Sequence, residues 1–344
     1  MDSLTQIVLG AACGEAVLGK KIGNKALLFG AIGGTIPDLD VLIGPWIYDN
    51  EIQAMAFHRG FMHSIVFSII GAFAIGWFSF KLYDSGKRVS STNLKDWQQL
   101  FFWSLFTHPI LDCFTPYGTQ LFFPFSDYRV AFNNIAVVDP LYTLPFLICL
   151  IVILFLKRQN LKRRLWLKLG IGLSSAYMIF TLFNKTHVNS IYKSSLKSDN
   201  IVYKRFQTQP TIFNNILWYG VAETESFYYV GFYSILDENS KVDKWIKIEK
   251  QHSLIPMEDK NLSKLSWFSN GYYHIETTDV ANEFIYKDLR YPLLNPEASD
   301  SSIFRFRIFN ENGIWDMKNS GPEFEEDMSI SEMFAPMLKR LKGL

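Results

Sequence analysis

The chain has 344 residues, 49% of them hydrophobic and 16% aromatic, with a formal net charge of +1. So balanced a charge offers no electrostatic footprint for nucleic acid, which is not expected as a partner. The average conceals a split: residues 1–184 carry 11 of the 33 Asp and Glu, and residues 185–344 carry the other 22. The first part therefore reads as membrane and the second as water-soluble.

The first apolar run, 4–20, is short for a bilayer crossing and contains Glu15. Asp2 precedes it and Lys20-Lys21 follow it, the reverse of a cleavable signal, so a retained helix is expected, tilted or half-buried. Glu15 is expected to make a packing hydrogen bond or to snorkel near Lys20. Five further segments, 24–44, 62–82, 98–115, 137–156 and 165–183, approach the roughly 20 apolar residues of a spanning helix. Gly30, Gly33 and Gly34 suit close helix approach. Cys13, Cys113 and Cys149 lie in apolar stretches without paired spacing and read as small buried hydrophobes.

Of the 15 Lys and Arg in residues 1–184, 13 fall in three alternate connections, around 20–25, 81–95 and 157–168. Only Arg59 and Arg129 lie in the opposite ones. That asymmetry places the basic connections in the cytoplasm and, with six spans, both termini outside. From about residue 187 the pattern turns to period-two alternation, as in Phe227–Tyr233, Trp245–Ile248 and Ile303–Ile308. Turn signals at 237–239, 269–271 and 310–313 separate such runs, which predicts antiparallel strands. Residues 329–344 read as a short amphipathic helix. The fold class is thus a polytopic α-helical membrane domain of five or six helices, 1–184, followed by a β-rich soluble domain, 185–344, expected outside the cytoplasm.

This topology gathers the chemistry at one end. Pro37-Asp38-Leu39-Asp40 closes the second helix, His58-Arg59-Gly60-Phe61-Met62-His63 opens the third, His108 and Asp112 close the fourth, and Asp139 begins the fifth. His108 and Asp112, four apart, project from one helical face. Pro37 marks a break where Asp38 and Asp40 turn inward, and a junction at Gly60 lets His58 and His63 converge. Imidazole with carboxylate suits Zn²⁺, or Mn²⁺, better than Ca²⁺ or Mg²⁺. Asp38, His58, His63, His108 and Asp112 are the candidate ligands. Asp40 is the candidate base, Arg59 a contact to an anionic group or a lipid headgroup, and Asp139 an outlying catalytic candidate. His187, His252 and His274 are scattered and read as structural. The broken aromatic stretch 114–125 reads equally as an interfacial belt or as the wall of an amphiphile-binding cleft.

At these residues the chain resembles the YdjM-like family, described as metal-dependent hydrolases of the bacterial inner membrane. The matching elements are Met1-Asp2-Ser3-Leu4-Thr5, Pro37-Asp38-Leu39-Asp40, His58-Arg59-Gly60-Phe61-Met62-His63-Ser64, and His108-Pro109-Ile110-Leu111-Asp112 with Thr115 and Gly118. Many members carry His after the opening Asp-x-x-Thr, where this chain has Gln6, placed to hydrogen-bond a ligand instead. The order of a polar residue, an Asp, a His and a His-x-x-x-Asp is also distantly similar to zinc-dependent phospholipase C. The resemblance implies an inner-membrane, metal-dependent hydrolase acting on a phosphoester or lipid-like substrate among membrane lipids. The alternatives are a non-catalytic protein with a structural metal site and an ion transporter.

Overall fold

The computed structural model describes residues 1–296, 301–321 and 329–343. Two compact units emerge: Met1–Ile43 with Phe57–Leu182, and Gly44–Ala56 with Phe183–Leu344.

The first unit is helical. α1 (Ser3–Ile22) starts at Asp2, whose carboxylate accepts the Thr5 amide. α2 (Asn24–Thr35) runs through a 3₁₀ turn (Ile36–Leu39) into α3 (Asp40–Ile47). α4 (Glu51–Phe57), which falls almost wholly in the second unit, α5 (Ile65–Tyr83), α6 (Leu94–Asp112), α7 (Pro140–Phe155) and α8 (Lys162–Ser198) come next in the chain. Among the described residues three stretches are long and apolar enough to cross a membrane, Asn24–Ile47, Ile65–Tyr83 and Lys162–Ser198; Pro140–Phe155 is a shorter apolar helix.

α5 shows why these helices suit lipid. It buries small or polar Ser68, Gly71, Ala72 and Gly76 and exposes Ile70, Phe73, Trp77 and Phe78. That is the inverse of a water-soluble helix and the pattern of close packing within a bilayer. α1 and α2 approach so closely that a Cβ on Gly34 would stand 2.4 Å from the Gln6 carbonyl oxygen. Glycine is required there, and the contact sets Gln6 beside the end of α2.

Glu15 does not turn to Lys20. It pairs in a buried fork with Arg163, Nε to Oε1 at 2.9 Å and Nη2 to Oε2 at 2.7 Å. Arg163 Nη1 also donates to the Ile153 and Leu156 carbonyls at the end of α7. Charge, hydrogen bonds and a matched fork offset the desolvation of both groups.

The second unit holds two four-stranded antiparallel meanders, β1 (Arg205–Pro210), β2 (Leu217–Glu223), β3 (Phe227–Ser234), β4 (Trp245–Glu249), and β5 (Tyr273–Thr277), β6 (Glu283–Asp288), β7 (Arg305–Glu311), β8 (Ile314–Asn319). The predicted strands and turns are present. Asn312 and Gly313, both at positive φ, make the two-residue turn between β7 and β8. Two helices depart from expectation. α8 continues past 183 to Ser198, because Val188, Ile191 and Tyr192 lie on one face and pack with Trp218, Tyr233 and Val242. α9 (Lys260–Phe268), capped by Asp259, buries Leu262, Leu265 and Phe268 at helical spacing. α10 (Ile330–Leu341) is the expected tail helix.

Residues 44–56 belong to this second unit, although they lie in the membrane half of the sequence. Ile52 is fully buried in a cluster with Leu262, Leu265, Tyr286 and Phe306. Asn50 Nδ2 donates to the Trp315 carbonyl at 2.9 Å, and Gln53 Nε2 to Asn261 Oδ1 at 2.9 Å.

Candidate metal centre

Local chain breaks deliver the functional side chains. Pro37 lacks an amide hydrogen, and the chain tightens into the 3₁₀ turn there before resuming as α3. This turn buries Asp40 and leaves the Asp38 side chain 22% exposed. Arg59 adopts φ 61°, a left-handed conformation costly for a residue with a Cβ. Both its backbone groups are held: its amide donates to Asp40 Oδ2 at 3.0 Å and its carbonyl accepts the Gln120 amide at 3.0 Å. A short 3₁₀ turn, Phe61–His63, precedes Ser64, which caps α5 through the Phe67 amide. His108 and Asp112 occupy the last turn of α6, as their spacing predicts.

One ligand atom from each of Asp38, His63, His108 and Asp112 comes within 4.8 Å of the others. Asp38 Oδ1 lies 3.3 Å from His63 Nε2 and 3.4 Å from His108 Nε2; Asp112 Oδ2 lies 3.4 and 3.5 Å from the same nitrogens. The two Nε2 atoms are 3.1 Å apart.

The other nitrogen of each ring faces an oxygen. His108 Nδ1 lies 2.6 Å from the Gly34 carbonyl, and His63 Nδ1 lies 3.0 Å from Asp40 Oδ2. The Gly34 carbonyl only accepts, so His108 Nδ1 carries the hydrogen and a neutral His108 ring presents Nε2 as a lone pair, while His63 Nδ1 stands near Asp40 Oδ2 without a hydrogen bond of normal geometry. Two ring nitrogens and two carboxylate oxygens converge there. Asp112 Oδ2 is buried and accepts no hydrogen bond among the described residues. Such a set fits a divalent cation of the kind bound by imidazole and carboxylate.

The surroundings hold Asp112 in place. Its Oδ1 accepts from Gln6 Nε2 at 2.9 Å and from the Met1 amine. Gln6 also donates to the His108 carbonyl at 3.2 Å, the ligand-supporting contact that its position suggests.

The remaining predicted residues separate. Asp40, His58 and His63 form a second group of neighbouring ligand atoms that shares His63. Asp40 Oδ1 lies 2.6 Å from His58 Nδ1. His63 turns its Nε2 to the first group and its Nδ1 towards Asp40. Asp40 therefore sits between two imidazoles, with His58 outside the four-atom set and its side chain 20% exposed. Burial lowers the His58 pKa from its ordinary value, against the raising influence of Asp40.

Arg59 is 5% exposed. Its Nη1 donates to Thr115 Oγ1 at 3.0 Å, its Nε lies 3.3 Å from Asp112 Oδ2, and its guanidinium covers the Tyr117 ring at 4.6 Å. Asp139 stands apart from both groups. Its Oδ1 caps α7 through the Leu141 and Tyr142 amides, and its Oδ2 accepts the Tyr177 hydroxyl at 2.9 Å. His252 and His274 bond to the Tyr273 and Glu249 carbonyls in the second unit. Sequence reasoning gave no role at the site to Met1, the Gly34 carbonyl or Tyr117, none of which carries a ligand signature of its own.

A family model described as "YdjM inner membrane protein" matches residues 1–188. The chain belongs to the YdjM inner membrane protein family. It is also similar to the uncharacterized protein YfhP of Bacillus subtilis (strain 168), 29% identical over 150 residues. That alignment covers 41% of this chain and 42% of the relative, so the chain spans less than half of the relative's length. No solved structure matches. The YdjM match contains every residue of the two His/Asp groups.

Proposed function

We propose that this YdjM-family chain is a membrane-bound, metal-dependent hydrolase working at the outer membrane–water interface, with its termini and second unit outside the cytoplasm. The observation that carries the reading is the convergence of His63 Nε2, His108 Nε2, Asp38 Oδ1 and Asp112 Oδ2 on one point. Zinc is the expected ion, with manganese the second choice. A divalent ion supplies Lewis acidity and lowers the pKa of water it binds.

The chain's own residues do the rest. Asp40 bonds His58 through Nδ1 and stands beside Nδ1 of His63. The His58 Nε2 is then suited to pass a proton between water and the site. Arg59 and Gln6 keep Asp112 oriented. Of the four ligand groups only Asp38 is partly exposed, which supports an approach for water and substrate from that side and favours catalysis over a closed structural site.

Ion transport draws less support. Glu15, the acidic residue expected in the inner half of the first helix, is consumed by Arg163 rather than lining a path. The test is hydrolysis of phospholipid and soluble phosphodiester by detergent-purified protein, with and without chelator. Activity lost to chelator and restored by zinc or manganese is the expected result. Activity indifferent to chelator would overturn the metal-dependent reading.

A further inference from the structure

The end of α5 remote from the metal centre carries a cluster of its own. α5 begins just after His63 and ends at Tyr83, and its 19 residues rise about 28 Å, close to the thickness of a hydrocarbon core. Tyr83, at that far end, is 8% exposed. Its ring packs against Trp97, with centroids 5.1 Å apart, and against Phe29 at 6.2 Å.

The loop that follows is tied back to these rings. Asp84 Oδ2 accepts the Ser90 amide at 3.0 Å, Asp84 Oδ1 accepts the Thr92 amide at 3.3 Å, and Thr92 Oγ1 accepts the Trp97 indole N–H at 3.0 Å. Arg88, within this loop, lies over the Tyr83 ring with its guanidinium carbon 4.5 Å from the centroid. Lys25, from α2, brings its ammonium nitrogen to 5.4 Å from the same centroid. One ring thus holds two cations, both within the reach of cation–π attraction.

Neither cation is neutralised. Among the described residues Lys25 and Arg88 pair with no carboxylate. The acids that adjoin the two rings in sequence are engaged elsewhere: Asp84 with the loop amides, and Asp96 with Lys21 Nζ at 2.5 Å and the Asn93 amide at 3.0 Å. Two like charges against one ring repel, and an anion that meets both removes that cost. Exposed apolar side chains flank the pair: Leu28, one turn along α2 from Lys25, and Phe78 and Leu82, four apart near the end of α5. An anion that carries acyl chains fits such surroundings, whereas a bare phosphate leaves the apolar side chains unused.

We propose that Lys25 and Arg88 bind the headgroup phosphate of an anionic phospholipid in the leaflet opposite the metal centre, with Tyr83 as the platform that sets their spacing. Anionic headgroups are drawn to basic residues at the end of a span, and guanidinium with ammonium supplies the donors that phosphate accepts. This site is independent of the hydrolytic reading.

The test uses the full chain, delipidated in detergent and then incubated with micelles holding equal amounts of phosphatidylglycerol and phosphatidylcholine. Wild type should retain phosphatidylglycerol in preference. That preference should fall about fivefold in Lys25→Gln and in Arg88→Gln, the scale of one basic residue at a membrane surface. Lys87→Gln removes the same charge from the neighbouring residue, which lies over no ring among the described residues, and should lose less than about twofold. All three side chains are exposed, and circular dichroism checks that each variant keeps its helices. A wild type without preference, unchanged retention in either ring variant, or an equal loss in Lys87→Gln would overturn the proposal. Inorganic phosphate at matched ionic strength should leave the lipid in place; displacement would make free phosphate the ligand and overturn the lipid assignment.

Discussion

His63 and His108 face each other through Nε2 atoms 3.1 Å apart, and each turns its Nδ1 to an oxygen acceptor. Two ring nitrogens at this distance either share one hydrogen or are bridged by a cation that both can ligate. On the proposed reading this relationship separates the members of the His/Asp gathering by role, with the atoms turned to that common point as the ligands.

His58 tests the separation. Its Nδ1 is occupied by Asp40 and it lies outside the four-atom set. His58→Gln should retain metal at the wild-type level while hydrolysis falls about 10²- to 10⁴-fold, the range of a general acid–base group. Metal content and turnover measured on the same preparation distinguish this from loss of a ligand, which would lower both.

Ile52 joins the sequence's membrane half to the second unit's core. Ile52→Ala removes buried methyl groups from a fully enclosed site and should destabilise that unit by about 2–5 kcal/mol. Denaturant unfolding tracked by near-ultraviolet dichroism reads the change. A shift within about 0.5 kcal/mol, the surface-substitution range, would contradict the burial.

Glu276 gives the second unit an acid-sensitive element. Burial raises its carboxyl pKa, but hydrogen bonds from His274 and Lys287 outweigh this and bring it down to about 2 from an ordinary 4.5. A lowered folded-state pKa stabilises the fold above the ordinary value, and the stability is lost as pH falls towards 2. Glu276→Gln should therefore flatten the decline of thermal stability between pH 4.5 and 2. An unchanged slope in that window would show that the carboxylate contributes nothing there.

Local signals reached part of this arrangement from sequence. His108 and Asp112 share a face because four residues make one helical turn, and Pro37 marks the break that turns Asp38 and Asp40 inward. The β-rich half was readable because strand alternation reports one buried face at a time. The division between His58 and His63 was not readable, because Asp40 meets Nδ1 of both rings and it is the three-dimensional placement of His63 Nε2 beside Asp38, His108 and Asp112 that sets them apart. Glu15 finds Arg163 across 148 positions, a pairing no local pattern announces. Asp139 is a different case. Asp followed by Pro at a helix start is a capping signature, and its structural role was available from the sequence. So was α9, where Asp259 precedes Leu262, Leu265 and Phe268 at helical intervals.

The central claim is that one divalent ion is held by Asp38, His63, His108 and Asp112. Elemental analysis of detergent-purified wild type beside His108→Ala addresses it most directly, with circular dichroism confirming that the helices persist. About one zinc or manganese per wild-type chain is the expected result, falling to background in the variant. A variant that keeps the wild-type metal content, or a wild type that retains none after metal loading, would contradict the account.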